Sequence, residues 1–148
     1  MEKMTFFNYD LGKLIQCFDK YMRKVQDNML AKFHLTHFHA WYLANLHRFG
    51  EMNMTDLTNH IGVDKANTTR AVKDLMNKGY IEKVGTSERK YNIKLSEKGS
   101  SVATIFKERI DKMMKDSFKY FTDEEKKTFF ELLNKLSKGV KDAGNISN

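Results

Sequence analysis

The sequence predicts a mostly α-helical chain with a small β-hairpin set between its fourth and fifth helices. Three observations predict this. Proline is absent from all 148 residues, so nothing removes a helix hydrogen bond or crowds a preceding turn. Apolar residues recur every three or four positions through most of the chain, the period of a helix with one buried stripe. That period changes to two between residues 81 and 95, the alternation of a half-buried strand.

From about Tyr9 to Lys32, Leu11, Leu14, Ile15, Phe18, Tyr21, Met22, Val25 and Met29 fall on one stripe of a long first helix. Thr36 is placed to cap a second helix, which carries Trp41, Tyr42, Leu43, Leu46 and Phe49 and stops at Gly50. Thr55 is the expected cap of a short third helix with Leu57 and Ile61, ended by Gly62. Asp64 is the expected cap of a fourth, running to Lys78 and closed by Gly79. Two short helices joined by about three residues, Gly62 to Asp64, have the form of a helix-turn-helix. Ile81 to Val84 and Tyr91 to Leu95 then read as strands, with Tyr91, Ile93 and Leu95 on one face and Lys90, Asn92 and Lys94 on the other. Gly85 to Arg89 joins them as a wing, which makes the unit a winged helix-turn-helix. Ser96 caps a long fifth helix with Val102, Ile105, Phe106, Ile110, Met113 and Met114 inward. Thr122 and Glu125 form a capping box before a last helix whose stripe is Phe129, Leu132, Leu133, Leu136 and Val140, with the chain frayed from about Asp142.

Length and composition narrow the function classes. A chain of 17.4 kDa holds one small domain with extensions rather than a multi-domain enzyme. The longest apolar run, Ala40 to Ala44, is far below the roughly 18 residues that span a bilayer. The N-terminus has no basic stretch leading into an apolar core, so the chain is expected to be cytoplasmic and free of membranes. The single Cys17 excludes an intramolecular disulfide and a multi-cysteine zinc site. No glycine-rich phosphate loop, no nucleophile with an evident base and no metal-ligand helix motif is present, so neither catalysis nor a cofactor is expected. The net charge of +7 divides into 6 basic and 4 acidic residues over 1–35, 10 and 7 over 36–99, and 10 and 8 over 100–148. So mild and dispersed an excess leaves the partner to be identified by pattern.

The central block is too small to cover the apolar stripes of the helices on either side. The chain is therefore expected to be one domain, a winged helix-turn-helix lobe over 36–99 flanked by dimerisation helices over 1–35 and 100–148, and a second copy is the simplest cover for what stays exposed. On the fourth helix, Val72, Leu75 and Met76 turn inward and leave Lys65, Asn67, Thr68, Arg70 and Lys73 outward. Those types suit a DNA major groove: arginine forks onto guanine, asparagine pairs with adenine, threonine meets a thymine methyl, and lysine supplies phosphate contacts. Arg89 at the wing tip is the candidate for a minor groove, with Lys90 beside it on phosphate.

These residues resemble a known family. GVDKANTTRAVKDLMNKGYIEKVGTSERKYNIKLSEKG, from Gly62 to Gly99, resembles the helix-turn-helix and wing of the MarR family of transcriptional regulators, and LTHFHAWYLANLHRFGEMNMTDLTNHI before it fits that family's second and third helices. Thr69-Arg70, Leu75, Lys78-Gly79-Tyr80-Ile81 and Leu95-Ser96-Glu97-Lys98-Gly99 carry the resemblance, which adds Thr69 to the DNA-binding set. It implies a homodimeric double-stranded-DNA-binding repressor or activator on a pseudo-palindromic operator, often released by a small ligand or by oxidation. Family wings usually carry an Asp-Arg-Arg-like tip. Here the positions are Ser87, Glu88 and Arg89, and a glutamate there would repel phosphate.

The resemblance also implies sensors. Cys17, within Cys17-Phe18-x-x-Tyr21, is similar to the lone N-terminal cysteine of peroxide-sensing relatives, and Phe18, Tyr21, Trp41 and Tyr42 are candidates to border an effector cavity. His34, His37, His39, His47 and His60 invite a metal reading. However, zinc-binding MarR-like regulators use histidines of the helix after the wing, and residues 97–121 contain none, so no metal site is expected. The alternative to operator binding is an interaction module whose winged helix binds protein or RNA.

Overall fold

The computed structural model describes residues 2–88 and 90–145, with side chains from Tyr9 onward. Two compact units divide the chain, Met1–Arg109 and Ile110–Asn148, and the division falls inside the fifth helix.

The first unit comprises α1 (Glu2–Leu30) extended by a 3-10 turn (Ala31–Phe33), α2 (His37–Phe49), β1 (Met52–Asn53), α3 (Met54–Ile61), α4 (Lys65–Asn77), β2 (Ile81–Val84), β3 (Asn92–Leu95) and the first part of α5 (Glu97–Ser117). The strands form one antiparallel sheet in the order β1-β3-β2, with Ile81 opposite Leu95, Val84 opposite Asn92 and Met52 opposite Ile93. The hairpin thus gains a third strand, two residues long and too short to show any period. α1 starts at Glu2 rather than near Tyr9, because neither proline nor glycine interrupts the chain before Gly12. α3 is capped by Asn53 and not by Thr55. The Asn53 side chain accepts the Asp56 N–H at 2.8 Å and its amide donates back to the Asp56 carboxylate at 2.7 Å, which places Thr55 inside the first turn.

The core of this unit is built from Leu30, Leu35, Leu43, Leu46, Leu57, Val72, Leu75 and Ile93, all nearly inaccessible to solvent. Each large side chain so buried stabilises the fold by about 1.5–3 kcal/mol relative to exposure. The α1 stripe behaves differently. Leu14, Ile15, Phe18 and Tyr21 are exposed, and burial begins with Gln26 and Leu30 in the last turns.

In the second unit α6 (Asp123–Ala143) follows α5 after a short turn. Thr122 Oγ1 accepts the Glu125 N–H at 3.1 Å and the Glu125 carboxylate accepts the Thr122 N–H at 2.8 Å, which is the capping box the sequence predicts. Phe118, Phe121, Phe129 and Phe130 pack ring against ring at centroid distances of 5.0 to 6.1 Å. The α6 stripe of Leu132, Leu133, Leu136 and Val140 stays exposed.

Candidate nucleic-acid interface

α3, the turn and α4 hold the candidate reading surface. Gly62, which ends α3, has φ +73°, a left-handed conformation that side-chain-bearing residues rarely adopt, and it turns the chain toward Asp64. The Asp64 carboxylate accepts the Asn67 N–H at 2.7 Å and the Asn67 side-chain amide at 2.6 Å, and the Arg70 guanidinium in turn donates to Asn67 Oδ1. The cap of α4 is thereby extended into a chain of three side chains that holds Arg70 along the helix. Ala71, Val72 and Leu75 bury the inner face, while Lys65, Thr69, Arg70 and Lys73 are exposed. Among the described residues neither Lys65 nor Lys73 is ion-paired, so both ammonium groups are available to phosphate. The Thr69 hydroxyl donates to the Lys65 carbonyl at 2.8 Å.

Thr68 departs from its predicted place. It is 0% exposed, with its hydroxyl 3.3 Å from the Asp64 carbonyl, and belongs to the core. Its position four residues before Val72 and seven before Leu75 puts it on the inner stripe, a signal that its DNA-compatible side chain obscured. Asn67 is half-buried and committed to the cap through both ends of its amide.

In the wing, Ser87 Oγ accepts the Lys90 N–H at 3.1 Å, so serine holds this loop where family members usually have aspartate. The Asn92 amide donates to Glu51 at 2.7 Å, and the Lys83 ammonium sits 4.4 Å from the Tyr91 ring centroid. Lys90 is exposed and, with Asn53, Thr55, Asp56, Tyr91 and Asn92, borders a groove of about 590 Å³ between the start of α3 and the wing strands. Arg89, the minor-groove candidate, lies outside the described residues.

Comparison with known proteins agrees with this geometry. The MarR family model matches residues 35–90, which span α2 to the wing. A MarR protein from Peptoclostridium difficile DA00132 superposes with a TM-score of 0.81 at 26% identity, over 90% of this chain and 89% of that one. Over those residues the chain is similar to the MarR family of transcriptional regulators. Among curated relatives it is similar to the HTH-type transcriptional regulator BilQ of Clostridioides difficile (strain CD3), 29% identical over 79% of this chain and 80% of that one. YwhA of Bacillus subtilis (strain 168), an uncharacterised HTH-type transcriptional regulator, is 27% identical over 80% of this chain and 88% of that one. The S. aureus MepR–DNA complex shares the fold with a TM-score of 0.78 at 18% identity, covering 88% of this chain and 97% of that one.

The remaining candidate residues are dispersed. Phe18, Tyr21 and Trp41 are 60–65% exposed whereas Tyr42 is 2% exposed, so the four do not line one enclosed cavity within the chain. Trp41 instead borders a groove of about 370 Å³ with Arg48, Phe49, His60 and Ile61 between α2 and α3. Burial raises the Tyr42 pKa above its ordinary 10.0; Thr68 opposes that shift without reaching hydrogen-bond geometry, and among the described residues the Tyr42 hydroxyl has no bonded partner. Cys17 is exposed on α1. No helix among the described residues is long and apolar enough to cross a membrane.

Two histidines carry roles that the sequence reading missed. The His37 N–H and Nδ1 both meet Asp27 Oδ1, at 2.6 and 2.9 Å, joining α2 to α1. His39 bonds through Nδ1 to the Thr36 N–H at 3.1 Å and through Nε2 to Asp74 on α4 at 2.8 Å. The local signal was Thr36-x-x-His39, the spacing of a capping box with histidine in the place of glutamate. Among the described residues no three His, Cys, Asp or Glu side chains gather as metal ligands.

Proposed function

We propose that this chain is a cytoplasmic homodimeric repressor that binds a pseudo-palindromic operator in double-stranded DNA through α4 and the wing. The observation that carries the reading is the division of α4, whose inner face is closed by Ala71, Val72 and Leu75 while Lys65, Thr69, Arg70 and Lys73 face solvent. Arg70 is assigned to a base edge, Lys65 and Lys73 to phosphates, Thr69 to a methyl or phosphate contact, and Asn67 to holding Arg70. Arg89 and Lys90 are assigned to the wing contact. Two similar folds are DNA complexes, MepR of S. aureus and a mutant MarR of E. coli on operator DNA, and they support the same reading.

The second copy is proposed from the open stripes of α1 and α6, which in a dimer would be covered and would present two reading helices about one turn of DNA apart. Release by a small effector near the α2 aromatics, or by oxidation of Cys17, completes the proposal. A peroxide-release assay on Cys17→Ser separates those two routes.

Selection of bound duplexes from random DNA tests the proposal. A two-fold-related consensus that Arg70→Ala weakens or broadens is expected. Recovery of no consensus, with binding that ignores salt concentration, would favour an interaction module for protein, since phosphate contacts make DNA binding steeply salt-dependent.

A further inference from the structure

We infer that neutral His39 is a positioning residue for the DNA-reading helix, so that protonating this one imidazole loosens α4 and weakens operator binding. The inference rests on the DNA-binding reading above and adds its regulation. His39 is 5% exposed and bonded at both ring nitrogens. A backbone N–H can only donate, so Nδ1, which faces the Thr36 N–H, carries the lone pair, and the proton sits on Nε2 toward Asp74. One neutral tautomer therefore closes the first turn of α2 and grips the carboxylate one turn beyond Arg70 on α4. A second proton would have to go on Nδ1. That proton would face the Thr36 N–H as a second donor and could be accepted only by the Thr36 hydroxyl 3.3 Å away, so the Thr36 N–H would lose its side-chain acceptor and a buried charge would remain.

The surroundings favour the neutral form. Asp74 attracts a proton to His39, but its Oδ2 is shared with the Lys78 ammonium at 2.8 Å, which also donates to the His34 carbonyl at 2.9 Å. On α2, His37 opposes a second positive charge and is itself held by Asp27 of α1 at 2.9 Å. From α5, Lys98 donates to the Lys78 carbonyl at 2.8 Å. Burial is the largest influence and holds the His39 pKa below its ordinary 6.5. A conformation with the junction opened would bind the proton more readily than the closed one. The closed arrangement is therefore fully favoured above pH 6.5 and is lost as pH falls through the lowered value.

The test compares the full-length chain with His39→Gln by fluorescence anisotropy on the selected operator, at constant ionic strength from about pH 8 to about pH 5. Glutamine at this position closes a capping box and offers its amide to Asp74 without titrating. The two proteins should bind alike at the upper end. Below pH 6.5 the wild type should weaken relative to His39→Gln by up to about tenfold per pH unit, the limit for one linked proton. Parallel profiles overturn the inference alone. Absence of operator binding by the wild type at any pH overturns the DNA-binding reading and this inference with it. Imidazole NMR of the free wild type gives an arm independent of the variant's folding: a persistent Nε2–H tautomer below pH 6.5 supports the assignment, and an Nδ1–H tautomer or an ordinary midpoint at His39 overturns it.

Discussion

A Cβ atom on Gly99 would stand 1.8 Å from the Tyr80 carbonyl oxygen, the same oxygen that accepts the Ser96 N–H at 3.0 Å. The start of α5 thus lies directly on the chain that leaves α4. Because the obstacle is backbone, no side-chain rotation relieves it. Gly99→Ala is predicted to cost about 3 kcal/mol or more, lowering the melting temperature by roughly 6–12 °C. Thermal unfolding followed by circular dichroism checks this, and an unchanged midpoint would disprove the contact.

Thr68 and Arg70 sit two residues apart on α4 with opposite predicted effects. Thr68 is fully buried and its hydroxyl donates to the Asp64 carbonyl at 3.3 Å, so Thr68→Val should cost about 0.5–1.5 kcal/mol of stability, the contribution of one hydrogen bond, and leave the selected consensus unchanged. Arg70 is exposed, and Arg70→Ala should lower affinity for the consensus by about 1–3 kcal/mol while broadening one position of each half-site. Repeating the duplex selection with each variant distinguishes the two roles.

Lys65 and Lys73 are assigned to phosphates and not to bases. Replacing either with alanine should weaken binding evenly across sequences and reduce the slope of log affinity against log salt by about 1. Titrations at several salt concentrations read this directly. A change in the consensus with an unchanged slope would reassign the residue to a base edge.

The exposed α6 stripe offers a test of the dimer. Leu132 and Leu136 are 58% and 38% exposed in the single chain, so the double substitution Leu132→Glu and Leu136→Glu should leave the helical circular dichroism intact. Sedimentation should shift to the monomer, and operator affinity should fall because paired reading helices are lost. A dimer that survives the substitution would place the interface elsewhere.

Much of the molecule was legible because it is local. The capping box at Thr122, the Asp64 cap, the stop at Gly62 and the alternation of Tyr91, Ile93 and Leu95 all depend on residues a few positions apart. Thr55 was misread because two capping residues stood close together and Asn53 won by reaching the Asp56 N–H. The exposure of the effector candidates was illegible for a different reason. Neighbours in sequence such as Trp41 and Tyr42 point in different directions on a helix, and the sequence did not reveal which of them would be covered.

By itself the sequence determined the order of the helices and the hairpin and, Thr68 apart, the two faces of α4, since helical period, caps and glycine stops act within a turn or two. Tertiary structure alone decided that His39 reaches Asp74 across 35 residues, that Tyr80 OH donates to the Phe33 carbonyl at 2.7 Å, and that Gly99 meets the chain after α4. Those contacts join elements distant in sequence. Their partners are chosen by how the faces pack, and no period within a single segment encodes that choice.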